Sequence, residues 1–172
     1  MSKAKVEAKD KKETESKRSL QRLAFGLVAA VILILISVCA YAYIDNLPFR
    51  LSDEYYGTSE SITLKTDEYE QLIAEKKSFI VLVDKPGCVT TAEMRQMMAD
   101  FPDDMQFRYY NFMWSQVKGS SLHEYISFAP SVAIIKNGKV KAYLRSDVDE
   151  DGKYFYDAAA LQEWVRKYVA FD

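Results

Sequence analysis

The sequence predicts an α/β protein: a mixed sheet flanked by helices, preceded by one transmembrane helix. Three observations carry that expectation. Leu23 to Ile44 holds no charged residue. Beyond it, short β-branched runs alternate with stretches of helical spacing, the pattern of a sheet covered by helices. Asn137-Gly138 stands between two strand-like runs, the strongest two-residue hairpin signal.

The apolar block is 22 residues long, and only Gly26 and Ser37 in it are not apolar. At about 1.5 Å per residue it reaches roughly 33 Å, enough for a hydrocarbon core of about 30 Å. Eight Lys/Arg lie in the 20 residues before it and only Arg50 in the 20 after it. Basic flanks stay on the cytoplasmic side, so the amino terminus is expected inside and the rest of the chain outside, single-pass. Tyr41 and Tyr43 suit an interfacial aromatic belt. Two processing patterns compete with a permanent signal-anchor. Ala40-Tyr41-Ala42 has the small residues of a signal-peptide cleavage site. Ile36-Ser37-Val38-Cys39 resembles a lipoprotein box, although Val38 departs from the small residue wanted there. The length of the block favours the anchor.

Charge divides along the same line. Residues 1–22 carry eight bases and four acids, a net of +4, while the 21 acids and 15 bases beyond Ile44 give −6. The tail, 1–22, has only Val6 and Leu20 as large apolar residues and is expected to be a disordered cytoplasmic segment. Residues 45–60 show no sustained period and read as a juxtamembrane spacer. Residues 61–172 form one domain. With 49% hydrophobic and 28% charged residues, the chain is neither disordered throughout nor a basic nucleic-acid binder.

Within the domain the elements follow in order. Ile62 to Leu64 is a short strand, and Thr66 caps a helix carrying Tyr69, Leu72 and Ile73. Phe79 to Val83 is a continuous apolar run, as in a strand buried on both faces. Lys85-Pro86-Gly87 breaks it, and a helix from about Thr90 to Phe101 places Met94, Met97, Met98 and Phe101 on one stripe as core filling. Gln106 to Phe112 alternates as a strand, and Ser120 to Phe128 fits a short helix. The hairpin pairs Ser131–Lys136 with Lys139–Leu144 around Asn137-Gly138. A last helix, Ala158 to Val169, has Leu161, Trp164, Val165 and Tyr168 on one face.

Three features in this order carry a family likeness: a buried strand running through a loop into a cysteine at a helix start (Phe79 to Cys88), a proline opening the next-to-last strand (Ala129-Pro130-Ser131), and the strand-turn-strand Ile134 to Val140. On them, residues 61–172 resemble the thioredoxin superfamily, and Asp84-Lys85-Pro86-Gly87-Cys88 is similar to small thioredoxin-like proteins of Gram-positive bacteria that include bacteriocin transport accessory proteins. The resemblance implies a thioredoxin-like mixed sheet, with a cis Ala129-Pro130 bond facing Cys88. It also exposes a departure. Where the family has Cys-x-x-Cys, this chain has Cys88-Val89-Thr90-Thr91, so the resolving thiol is replaced by Thr91. Cys39, the only other cysteine, lies in the apolar block, and the buried acid that active relatives carry six positions before the cysteine is Leu82.

Two readings of Cys88 stand. At a helix start, partial positive charge and free N–H groups favour the thiolate. That thiolate could form a mixed disulfide, released only by an external thiol, with Thr91 donating a hydrogen bond as in monothiol relatives. Alternatively Cys88 is an inert small residue. Cys88, Thr91 and Pro130 are therefore the candidate catalytic residues of a degenerate active site.

Asp147-Val148-Asp149-Glu150-Asp151-Gly152 matches the first half of a D-x-D-x-D-G calcium loop, making Asp147, Asp149 and Asp151 candidate ligands. The twelfth position is Ala158 instead of Glu, with Asp157 one place early, so an acidic solvated turn is the favoured reading and any calcium site a weak one. No other cofactor is expected. His123 has no metal-spaced partner, and Tyr109 to Trp114 reads as core. No phosphate loop, nucleophilic-serine motif or basic stripe is present in the domain. The function expected is an extracytoplasmic, membrane-tethered thioredoxin-like domain used mainly to bind an envelope or secreted protein. The alternative is a monothiol protein acting on protein thiols or disulfides, in the class of cell redox homeostasis.

Overall fold

The computed structural model describes residues 25–28 and 30–171. The expected disordered tail, 1–22, and the first two residues of the apolar block lie outside them. The chain divides into two units, ending and beginning at Asn46 and Leu47.

The first unit contains one helix, α1 (Phe25–Asn46), with mean hydropathy 2.7, long and apolar enough by length and composition to cross a membrane. Ser37 returns its hydroxyl hydrogen to the Leu33 carbonyl four residues back (2.8 Å), so the one serine hydroxyl in the helix is satisfied locally. Asn46 does the same for the Ala42 carbonyl at the helix end (2.9 Å).

The second unit is built on a five-stranded sheet. β1 (Ser61–Leu64), β2 (Phe79–Asp84) and β3 (Tyr109–Met113) are parallel, and β4 (Ser131–Lys136) and β5 (Lys139–Arg145) are antiparallel to their neighbours. The order is β1-β3-β2-β4-β5. Helices α2 (Thr66–Ala74), α3 (Val89–Ala99), the single turn α4 (Trp114–Val117) and α5 (Ala158–Tyr168) connect and flank it. This is the mixed sheet flanked by helices expected from the sequence. Central β2 is buried at all six positions, which is why its sequence carries no polar alternation. Tyr69 of α2 stacks on Phe112 of β3 (5.2 Å between ring centres) and meets Phe79 edge-on (6.1 Å), tying the helix to two strands.

The hairpin turn holds Asn137 and Gly138 at φ +52° and +72°, the two positive values that a tight turn with right-handed strand twist requires. A β-carbon at Gly138 would overlap the Ile73 carbonyl oxygen, so the turn is also pressed against the end of α2. The Gly138 N–H donates to the Lys77 carbonyl there (2.9 Å).

Three local expectations change. The helix expected over Ser120–Phe128 is one 3-10 turn, Ser121–Glu124. The residue ahead of α2 is Lys65, not Thr66, and its N–H donates to Glu68 (2.9 Å). The stretch expected as a spacer is built into the domain from Leu47 on, with Leu51 and Tyr55 buried. Phe49 pairs in parallel with Val169, exchanging bonds with the Tyr168 carbonyl and the Ala170 N–H (both 2.9 Å), while the Tyr56 hydroxyl donates to the Ala170 carbonyl (2.9 Å). Tyr56 also bridges to Phe107. These partners are remote in sequence, so no local period marks the segment.

Candidate functional site

β2 delivers the chain into Lys85-Pro86-Gly87, where Gly87 has φ +74°, and the Cys88 N–H closes the turn on the Lys85 carbonyl (3.1 Å). Cys88 is the N-cap of α3, with extended φ/ψ and a carbonyl that accepts from the Ala92 N–H (3.3 Å). It is a free thiol and partly exposed. Its pKa is pushed below the ordinary thiol value, first by the Thr91 backbone N–H, against a smaller opposing effect of burial, and then by the Thr91 hydroxyl and by Thr90. The helix start therefore favours the thiolate.

Opposite this turn, β4 begins after a cis Ala129–Pro130 bond. Ser131 donates its hydroxyl to the Phe128 carbonyl (2.8 Å), and the Ser146 N–H donates to the Pro130 carbonyl (3.3 Å), pinning the loop from both sides. Between the two loops lies an open cavity of about 400 Å³, lined by Lys85, Cys88 and Thr90 on one side and Phe128, Pro130, Ser146 and Tyr156 on the other. Val89 and Tyr156, each 71% exposed, and Phe128, 47% exposed, are large apolar groups at or beside this opening. The structure thus brings Cys88 and Pro130 into one cleft. Thr91 is different: it is fully buried, is not among the lining residues, and its hydroxyl has no hydrogen-bond partner of ordinary geometry. It acts on the sulfur from beneath, chiefly through its backbone.

Sequence reasoning passed over Ser146, Phe128 and Tyr156, the walls of the cleft, and also Asp84. Leu82 is fully buried, so no acid occupies that place. Asp84, two residues on at the end of β2, is 8% exposed; one carboxylate oxygen pairs with Arg95 (3.3 Å) and the other is buried without a partner. An acid closing an otherwise apolar strand was the signal for it.

The acidic loop is held by its own hydrogen bonds. Arg145 grips Asp147 through two hydrogen bonds (3.0 and 2.6 Å) and holds its carboxyl below the usual carboxylate range. The Asp151 carboxylate instead accepts the Arg145 backbone N–H (2.9 Å). Asp149 opens the 3-10 segment Asp149–Phe155 and is exposed. The three do not gather: among the described residues no group of His, Cys, Asp or Glu could hold a metal ion. Arg145 supplies a positive charge at the start of the acidic run. Asp157, the near miss for the twelfth ligand, caps α5, accepting from the N–H groups of Ala159 (2.9 Å) and Ala160 (3.2 Å).

No family model and no curated protein matches the chain. Solved structures similar to it include an N21Q mutant thioredoxin from Halobacterium salinarum NRC-1, 11% identical over 66% of this chain and 95% of that one, with TM-score 0.46. A putative oxidoreductase with a thioredoxin fold is 20% identical over 60% of this chain and 91% of its own, with TM-score 0.45. The long form of thioredoxin F from spinach chloroplast is 13% identical over 64% and 87%, with TM-score 0.43.

Proposed function

We propose that this is a membrane-tethered, extracytoplasmic thioredoxin-like domain whose cleft binds an extended segment of an envelope or secreted protein. The observation that supports it is the open cavity of about 400 Å³ between Cys88 and Pro130, with Phe128 and Tyr156 exposed in its walls. Concave, partly apolar surface with a few polar groups is where a ligand buries most area per residue. Thr91 in place of a second cysteine leaves the domain unable to complete an internal dithiol cycle.

A second reading is favoured by the lowered Cys88 pKa at a partly exposed position. In it the Cys88 thiolate attacks one sulfur of a partner disulfide and forms a mixed disulfide, while the other sulfur leaves as a thiolate. An external thiol then attacks the mixed disulfide and frees Cys88.

Both are tested on the full chain in its membrane, in a Cys39→Ser background. A photo-crosslinker at position 128 should capture the same partner from wild-type Cys88 and from Cys88→Ser, whereas adducts reversible by reductant should require Cys88. Absence of both kinds of adduct overturns the cleft assignment. Protease added to spheroplasts should remove residues beyond 46 and spare the amino-terminal tail; a protected domain overturns the orientation.

A further inference from the structure

Beside the Cys88 cleft lies a second groove of about 360 Å³, lined by Glu93, Gln96, Met97, Phe155 and Tyr156. Tyr156 borders both, so the two are neighbouring compartments along one face of α3. Their charges are opposite. The only charged residue lining the first is Lys85, and the only one lining the second is Glu93. Glu93 is exposed and has no ion-pair partner among the described residues. The rest of the second groove is apolar or uncharged: the Met97 side chain, the buried Phe155 and the ring of Tyr156, 71% exposed.

We propose, resting on the cleft reading above, that this second groove takes a lysine or arginine side chain of the same partner segment. A long cationic side chain has the two properties that the lining asks for. Its aliphatic stem covers the partly exposed Met97, and its head meets the Glu93 carboxylate and the face of the Tyr156 ring. A neutral apolar side chain would leave the Glu93 carboxylate without a partner, and an acidic one would repel it. Spacing fits as well. Glu93 is five residues along the helix from Cys88, a rise of about 7.5 Å, which an extended peptide covers in about two residues. Phe155 and Tyr156, at the end of the connection between β5 and α5, supply the outer wall, so that connection becomes the element that selects the partner.

The test uses the full chain in detergent, with Cys39→Ser leaving Cys88 as the single thiol. The probes are two synthetic hexapeptides, identical except for arginine or norleucine two residues from one cysteine. Each is activated as the mixed disulfide with 2-nitro-5-thiobenzoate, and the hydroxyethyl mixed disulfide serves as the small reference. Cys88 attacks the peptide sulfur and nitrothiobenzoate leaves as the coloured thiolate, giving a rate for each probe. The arginine peptide should react about threefold to tenfold faster than the norleucine peptide, the scale of one exposed ion pair with one cation–π contact. Glu93→Gln should bring that ratio close to one. Glu75→Gln, which removes an equal charge from α2's end, should keep it. A wild-type ratio near one, or an equal fall in both variants, overturns the proposal. If the norleucine peptide still outpaces the hydroxyethyl reference, the cleft reading survives that result; if the reference reacts and neither peptide outpaces it, both fall. Should Cys88 react with no probe, the same ratio is read as peptide Kd by fluorescence polarisation on Cys88→Ser, where tighter binding of the arginine peptide that depends on Glu93 supports the proposal and equal binding overturns it.

Discussion

Replacing Gly138 by alanine should destabilise the domain far more than the same change at Gly57, although both glycines have positive φ (+72° and +87°). At Gly57 a β-carbon meets nothing within 4 Å, so the cost is conformational. A left-handed conformation costs an L-residue about 1–2 kcal/mol, offset by about 0.4–1 kcal/mol because alanine has less freedom to lose from the unfolded chain. The net is about 1 kcal/mol. At Gly138 the same β-carbon would overlap the Ile73 carbonyl oxygen and stand 3.1 Å from Lys76 Cα, both backbone atoms that no rotamer change can move. Relief requires the turn to lift from α2, which strains the packing by about 1–3 kcal/mol and weakens the Gly138–Lys77 hydrogen bond, worth about 1 kcal/mol. Gly138→Ala should therefore cost about 3–5 kcal/mol. For a unit of this size, about 3–5 °C of Tm per kcal/mol follows, hence a fall of at least about 10 °C against about 3–5 °C for Gly57→Ala. Thermal unfolding of the full chain in detergent, followed by near-UV circular dichroism, measures both. Equal falls would refute the claim that the turn is locked onto the end of α2.

Alkylation of Cys88 should titrate below the ordinary thiol value, and Thr91→Val should raise the midpoint only in part, because the larger influence is the Thr91 backbone N–H, which valine keeps; a full return would assign the effect to the hydroxyl. Since this acid's pKa is lowered by folding, the thiolate's stabilisation is complete above the unfolded thiol value and disappears as pH falls through the folded one, so the stability gap between wild type and Cys88→Ala should narrow over that window in denaturant titrations. The wild-type chain should reduce insulin no faster than the reductant alone, whereas Thr91→Cys should close a disulfide with Cys88 in oxidising buffer and gain measurable turnover; failure to close it would mean that the helix start is not built for a dithiol. Calcium at 2 mM should shift the Tm by less than about 3 °C, because Arg145 already neutralises Asp147; a larger shift, abolished by Asp149→Asn and not reproduced by magnesium, would restore a cation site.

What could be read from the sequence was whatever a single element states by itself. Phe79–Val83 is buried on both faces and its composition says so, and Asn137-Gly138 names its own turn. Cys88 and Pro130 were legible as a pair through the resemblance, while the groups that wall their cleft were not. Phe128 looked like the end of a helix, and Tyr156 sits at the far end of a connection whose path depends on how Phe155 packs. The acidic run fits a calcium loop and a solvated turn alike when read locally, and the grip of Arg145, two residues before Asp147 in β5, was not legible in it. Leu51 and Tyr55 were hidden for the opposite reason: their segment is ordered by Phe107 and by residues 168–170, more than 50 and more than 110 positions away.

The pairing of Phe49 with Val169 shortens the free chain between α1 and the domain. A free spacer over residues 45–60 would give an attached domain a root-mean-square excursion of about 20–24 Å. With Phe49 already bound into the fold, only Leu47 and Pro48 separate it from the last residue of α1, about 7 Å of slack at full extension. On the same root-mean-square measure, two residues in place of sixteen shrink the volume that the domain can sweep by about twentyfold, and the local concentration it experiences for anything held nearby rises in proportion. In the setting proposed above, such a domain does not search. A partner of the domain is then met within the reach of a two-residue connection, so the shortness of that connection becomes part of choosing the partner.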